Sequence, residues 1–175
     1  MQEKNIHITK SYKETQKLGE NLAKELLESG DAGLRRGTGA VVFGLSGNLG
    51  GGKTTFLQGF AKGLGVKEKV LSPTFVIIKK YKLYIKRPVG HFVCKQQFFD
   101  FYHIDCYRLK NEKDILELNF KEIISDPKNI IAVEWPEKIK KVLSKNIIKI
   151  DFKFVDKNKR EIRFDRGFGK NIMEL

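Results

Sequence analysis

Cysteine is scarce in this chain, and long apolar runs are absent from it. The two cysteines, Cys94 and Cys106, lack C-x-x-C spacing, so the sequence predicts neither a disulfide framework nor a cysteine-based metal site. No apolar run approaches the ~18 residues of a membrane-spanning helix, and residues 1–5 lack the apolar core of a signal peptide. These absences exclude the disulfide-stapled and membrane-spanning classes, and we expect a cytoplasmic protein that does not contact membranes.

Acidic residues are too few to balance the basic ones, 21 against 34, and the net charge is +13. Such a charge permits attraction to RNA, to nucleotides or to an acidic partner protein. The excess of lysine has a second explanation, because lysine, asparagine and isoleucine are abundant throughout, as under a biased nucleotide composition. With 41% hydrophobic and 31% charged residues, the 175 residues are typical of a folded chain, and we predict a single domain over 1–175.

Residues 47–54, GNLGGGKT, match the phosphate-binding P-loop pattern G-x-x-x-x-G-K-[ST] at every fixed position. Residues 40–45 are predicted to form a buried strand before the loop, and residues 55–61 to begin a helix after it. Glycines allow backbone N–H groups to surround phosphate oxygens, and the helix N-terminus adds its positive end. The pattern predicts that Lys53 reaches the β- and γ-phosphates and that the Thr54 hydroxyl binds Mg²⁺.

Local patterns predict alternating helices and strands around this loop. Ser11 and Glu14 fit a capping box that begins a helix ending at Gly30, and Pro136 suits the first position of another helix. The other predicted elements are a helix ending near Leu64, a β-rich run over 75–78, a hairpin of 74–84 with 98–107, a helix over 114–124, and strands over 129–134, 147–155 and 161–164.

A P-loop site requires a second acidic residue near the metal, normally at the end of a neighbouring apolar strand. Two residues qualify, since Glu134 follows the apolar residues 130–133 and Asp105 follows residues 101–104. Residues 72–74, SPT, are either a switch that senses the γ-phosphate or an ordinary turn, and His103 is more typical of a packed or surface histidine than of a catalyst. No N-K-x-D guanine signature is present, which favours ATP over GTP.

Four motifs follow one another in a specific order: the P-loop with residues 55–56, SPTF at 72–75, HIDCYRL at 103–109 and VEWP at 133–136. This ordered set closely resembles the bacterial TsaE family, also called YjeE, over roughly residues 15–163. The resemblance implies an α/β fold with one P-loop domain. Its central sheet is expected to be mostly parallel and flanked by helices, with a β-hairpin insertion and C-terminal antiparallel strands.

The resemblance also implies a function. The family is the ATPase component of tRNA threonylcarbamoyladenosine synthesis, so we expect slow Mg²⁺-dependent ATP hydrolysis stimulated by the TsaB–TsaD heterodimer. That assembly modifies the adenosine next to the anticodon of tRNAs that read A-starting codons, and TsaE is expected to reset it between turnovers. Contact with tRNA is expected either through the complex or directly.

Carried over by motif, the residues take separate roles. Lys53 and Asp105 are expected to be catalytic, with Asp105 orienting water or the metal shell, and Thr54 and Glu134 are expected to bind Mg²⁺. The expected nucleotide-binding residues are Thr15, Asn48, Gly50, Gly51, Gly52, Lys53, Thr54, Thr55, Trp135 and Arg160.

The match has departures. Asn48 replaces the family's usual Asp and Gly51 its frequent Ala, while the segments 31–39 and 82–97 look longer than typical. Two other function classes stay open at this point. A small-molecule P-loop kinase would transfer phosphate to a metabolite, and a basic RNA-binding module with a vestigial nucleotide site would bind tRNA equally well without ATP.

Overall fold

The computed structural model describes residues 5–29, 39–83 and 98–164. In chain order the elements are β1 (Asn5–Thr9), α1 (Tyr12–Ser29), β2 (Val41–Gly47), α2 (Lys53–Gly63), β3 (Ile78–Lys82), β4 (Asp100–Asp105), α3 (Glu112–Leu116), α4 (Phe120–Ser125), β5 (Asn129–Glu134), a 3₁₀ helix (Pro136–Ile139), β6 (Ile148–Phe154) and β7 (Arg160–Phe164). No helix within these ranges combines the length and the apolar character needed to cross a bilayer.

The strands form one seven-stranded sheet in the order β1-β7-β6-β2-β5-β4-β3. The neighbours β6, β2, β5 and β4 pair in parallel, while β3, β7 and β1 join antiparallel. This confirms the predicted mostly parallel sheet, the hairpin of β3 with β4, and the antiparallel C-terminal strands. Because β2, β4 and β5 are parallel, their carboxyl ends meet at one edge of the sheet, which is where ligands bind in such folds.

The central strands are buried on both faces, which explains their nearly continuous apolar sequences. Alternate residues enter two separate cores. On one face Phe43 and Phe101 pack with Phe60 and Leu22 of the two long helices. On the other face the strands pack against α3, α4 and the 3₁₀ helix, with Phe120 fully buried. Each central strand therefore presents every second residue to α1 and α2, and α2 is the helix that follows the P-loop.

Helix α1 begins near the predicted cap and lies close against α2. The Glu14 N–H donates to Ser11 Oγ at 3.1 Å, while the Glu14 carboxylate accepts from Lys10 N–H at 2.7 Å. Glycine permits the close approach of the two helices, since a Cβ on Gly59 would stand 1.8 Å from the Gln16 carbonyl oxygen. The predicted end of α1 at Gly30, most of the long 31–39 segment and the hairpin tip at 84–97 lie outside the described residues.

One strand was not predicted, and two local predictions are wrong. Strand β1 has no counterpart among the predicted elements, because it is five residues long and pairs only at the sheet edge. Residues 74–77 form a turn instead of a strand, with the Val76 and Ile77 N–H groups donating to the Pro73 carbonyl and with Ile77 at φ 64°. The predicted helix over 114–124 is divided into α3 and α4, because Asn119 adopts a left-handed φ of 55°.

Candidate active site

The P-loop joins β2 to α2, and three of its glycines adopt backbone conformations with positive φ. Gly47, Gly50 and Gly52 have φ of 126°, 73° and 98°. A Cβ on Gly47 would stand 2.1 Å from the Phe152 carbonyl oxygen, so no other residue fits there. Gly52 caps α2 without a side-chain hydrogen bond, which leaves the first N–H groups of the helix available to a phosphate.

Lys53 points from the start of α2 back into the loop. Its side chain is buried, and Nζ donates to the carbonyl oxygens of Gly47 at 2.5 Å and Asn48 at 3.1 Å. The ammonium also lies 4.1 Å from the centre of the Trp135 ring. Burial lowers the pKa of Lys53, although the nearby carboxylates of Glu134, Glu137 and Asp105 oppose this effect. The cation is therefore held at the place where phosphate charge would be bound.

The side chains of Thr54, in the first turn of α2, and Glu134, at the end of β5, contact each other. The Thr54 hydroxyl donates to Glu134 Oε1 at 2.9 Å, which leaves the lone pairs of the hydroxyl oxygen available to a cation. The same Oε1 lies 2.8 Å from His103 Nε2. The sequence interpretation favoured a packed or surface position for His103, and the structure buries it fully against the acid.

Asp105 ends β4 directly beside Glu134, to which it is paired in register. Its Oδ2 accepts hydrogen bonds from the hydroxyls of Ser72 and Thr74, both at 2.6 Å. Its Oδ1 accepts from the Tyr107 N–H at 3.0 Å. The SPT turn therefore contacts this carboxylate, although its behaviour as a switch stays a prediction.

Together these groups line a cleft of about 540 Å³. Thr15 from α1 and Arg160 from β7 line the cleft beside the P-loop, since side-chain atoms of both lie within 4 Å of a Cβ built on Gly52. The Thr15 hydroxyl lies 2.8 Å from that of Thr9 and donates to the Ser11 carbonyl. Arg160 Nε donates to the Gly50 carbonyl at 3.1 Å, and its guanidinium covers the Phe154 ring.

The structure brings together almost all of the predicted site residues. Those lining the cleft are Thr15, Gly50, Gly51, Gly52, Lys53, Thr54, Thr55, Asp105, Glu134, Trp135 and Arg160. Asn48 is the exception: it is exposed and does not line the cleft, and it contributes its backbone carbonyl, which accepts from Lys53 and from the Gly51 N–H.

Sequence reasoning missed several lining residues: Ser11, Tyr12, Leu49, Tyr107, Lys157 and Asn158. Ser11 and Tyr12 stand at the beginning of α1, and the capping box was a signal that could have directed attention there. Lys157 and Asn158 belong to the turn between β6 and β7, and nothing in their local sequence indicates that this turn lies beside the P-loop.

The oxygen atoms of the cleft suit Mg²⁺, which shares its ligands among protein, water and substrate phosphates. They suit a metal ion whose ligands all come from the protein less well. Thr54 offers a hydroxyl oxygen, and Glu134 and Asp105 offer carboxylates on neighbouring strands. Within the described ranges no group of three or more His, Cys, Asp or Glu side chains could hold a metal ion. Mg²⁺ usually takes one or two carboxylates together with water and substrate phosphates, so this sparse set could hold it with a bound nucleotide.

Comparison with known proteins gives one consistent family. The family model "Threonylcarbamoyl adenosine biosynthesis protein TsaE" matches residues 9–162. A TsaE protein of Rickettsia conorii is 34% identical over 156 residues, covering 89% of this chain and 74% of that protein. One from Bacillus subtilis is 36% identical over 123 residues, covering 70% and 68%. The crystal structure of Bacillus subtilis YdiB matches with a TM-score of 0.61 and 26% identity, over 94% of this chain and 86% of that one.

Proposed function

The chain belongs to the TsaE family of tRNA threonylcarbamoyladenosine biosynthesis proteins, and within that process we propose that it is a Mg²⁺-dependent ATPase acting on the TsaB–TsaD complex. One observation carries the proposal. A P-loop with a buried lysine faces two strand-end carboxylates, Asp105 and Glu134, across one cleft. This combination binds a nucleoside triphosphate and supplies the charges that phosphoryl transfer to water requires.

Binding of ATP begins with the phosphates. The open N–H groups at the start of α2 and the Lys53 ammonium provide the positive charge, and the glycines let the backbone approach the phosphate oxygens. Thr15 and Arg160 lie beside Gly52, and we assign them to the nucleoside end of ATP. The Trp135 ring lies against the Lys53 ammonium, and Trp135 is the residue directly before the 3₁₀ helix.

Mg²⁺, when bound with ATP, would neutralise charge on the β- and γ-phosphate oxygens. The Thr54 hydroxyl and the Glu134 carboxylate would hold it. Asp105 would orient the attacking water, since it stands beside Glu134 with one oxygen bound to the SPT turn and the other to a backbone N–H. A carboxylate held on both oxygens keeps its orientation with little freedom, which is what a positioning role needs.

The hydrogen bonds within the cleft explain why this chain alone should hydrolyse ATP slowly. Lys53 bonds to two backbone carbonyls, and Asp105 is occupied by Ser72 and Thr74. Arg160, the arginine that lines the described part of the cleft, donates to the backbone carbonyls of Gly50 and Asp156. The arginine in the described lining of the cleft is thus already bound to backbone, and docking on TsaB–TsaD would complete or order the site.

The test is phosphate release by this chain with and without purified TsaB–TsaD, across a series of salt concentrations. We expect a low basal rate that the heterodimer raises, and a stimulation that weakens with salt because a chain of net charge +13 docks partly through electrostatic attraction. If TsaB–TsaD does not change the rate of phosphate release at any salt concentration, the proposal is contradicted. Transfer of labelled phosphate to an added metabolite would replace it with the kinase alternative.

A further inference from the structure

His103 is a fully buried residue at the centre of the sheet, and its ring contacts a candidate metal ligand. It lies on β4 and pairs in register with Ala132, two residues before Glu134 on β5. Residues two apart on a strand share a face, so the ring and the carboxylate lie on the same side of the sheet, below the start of α2. His103 Nε2 reaches Glu134 Oε1 at 2.8 Å.

The hydrogen-bond pattern assigns a donor role to the ring. An ionised carboxylate only accepts hydrogen bonds, so Nε2 must carry the hydrogen in this contact. The other ring nitrogen, Nδ1, is buried and has no hydrogen-bond partner among the described residues. The bond to Glu134 is therefore the one polar contact of this ring in the part of the chain that the structure describes.

Both donors to Glu134 act on the same oxygen. Thr54 Oγ1 and His103 Nε2 each donate to Oε1, and Oε2 accepts no hydrogen bond from the residues that the structure describes. This arrangement fixes the carboxylate at one oxygen and leaves the other to a ligand. A side chain with only a packing role at 103 could be apolar, as Phe101 is two residues earlier on the same strand.

From this geometry we propose that His103 is a positioning residue for Glu134, holding the carboxylate in the orientation that binds Mg²⁺ with ATP. The inference rests on the proposed function, in which Glu134 is the metal-side acid. Hydrogen-bond partners of metal ligands orient them, and their loss typically lowers metal affinity by about 10- to 100-fold. The Thr54 hydroxyl alone would not prevent rotation of the carboxylate, because a single hydrogen bond leaves that torsion free.

Three substitutions separate hydrogen bonding from packing. His103→Gln places an amide N–H close to the position of Nε2, whereas His103→Asn places it close to Nδ1, where it cannot reach Glu134. His103→Met keeps similar volume without a donor. His7→Gln on the edge strand β1 is a matched control, because His7 does not line the cleft.

The measurement is binding of a fluorescent, non-hydrolysable ATP analogue as Mg²⁺ is titrated, with a parallel series in EDTA. For His103→Met and His103→Asn we expect the half-maximal Mg²⁺ concentration to rise about tenfold or more, with unchanged binding in EDTA. His103→Gln should remain within about threefold of the wild type, and His7→Gln should match it.

Two results overturn the inference in distinguishable ways. If His103→Met keeps the wild-type Mg²⁺ dependence while Glu134→Ala loses it, His103 only fills the core. If Glu134→Ala also keeps it, the proposed metal site fails and the inference fails with it. Nitrogen NMR of the wild-type ring gives a test that does not depend on whether a variant folds. It should show hydrogen on Nε2, and hydrogen on Nδ1 alone would refute the donor role.

Discussion

Replacing Lys53 by methionine gives the sharpest test of the nucleotide site. The substitution keeps most of the side-chain volume beneath Trp135 and removes only the charged end. Lys62 is a matched control on the same helix, because its side chain is 74% exposed and pairs with Glu20 on the outer surface. Lys53→Met should bind the nucleotide more weakly, while Lys62→Met should bind it as the wild type does.

The structure sets the size of the expected effect. A hydrogen bond to a charged group contributes about 1.5–3 kcal/mol. Lys53 could contact two phosphates, but it must first release the carbonyls of Gly47 and Asn48, so the net loss is closer to one such contact. This corresponds to about 10- to 100-fold in Kd for an ATP analogue. Without nucleotide, loss of these bonds is offset by removal of a buried charge, and we expect the free energy of unfolding to change by ~1 kcal/mol or less.

The pH dependence has a definite sign. Burial lowers the pKa of Lys53 below its ordinary 10.5, so the unfolded chain holds that proton to higher pH than the folded protein does. Between the lowered value and 10.5 the unfolded state binds more protons, and the contribution of Lys53 to stability rises with pH. The free energy of unfolding of the wild type minus that of Lys53→Met, measured by urea titration, should therefore increase through this alkaline window.

The nucleotide affinity of both variants and of the wild type is measured by fluorescence titration, and their free energy of unfolding is measured in urea. Equal nucleotide affinity in wild type and Lys53→Met would refute the P-loop assignment. A stability difference that falls with rising pH would refute the burial argument while leaving the nucleotide site in place.

Three further predictions follow from other contacts. Asp105→Asn should bind ATP nearly normally but hydrolyse it at least about tenfold more slowly, whereas Glu134→Ala should need more Mg²⁺ for binding. A Mg²⁺ titration of both variants separates the two roles. If Asp105→Asn needs more Mg²⁺ and Glu134→Ala does not, the two assignments are reversed. Residues 72–74 should exchange amide hydrogens more slowly with a non-hydrolysable ATP analogue than with ADP, and equal exchange would reject the switch. Gly59→Ala should destabilise the fold by about 1–3 kcal/mol in urea, because its Cβ would meet the Gln16 carbonyl, and unchanged stability would show that the helices can separate freely.

The sequence alone predicted those elements whose characteristic patterns lie within one short stretch of the chain. The P-loop was identified at residues 47–54 because all the fixed positions of its pattern lie in one contiguous stretch of eight residues. The strand β5 was predicted with its observed bounds, Asn129–Glu134, because an apolar run buried on both faces needs no partner to be recognised. The turn at residues 74–77 was misread as a strand because β-branched and aromatic residues favour strands, and only the bonds to the Pro73 carbonyl reveal the turn.

Tertiary structure alone decided how the site residues meet. The sequence left Asp105 and Glu134 as alternatives, and the pairing of β4 with β5 places both in one cleft. The contacts of His103 with Glu134, and of Ser72 and Thr74 with Asp105, join residues 31 to 33 positions apart. No local pattern encodes such contacts, because they arise from strand order and register, which the whole core determines by burying both faces of the sheet together.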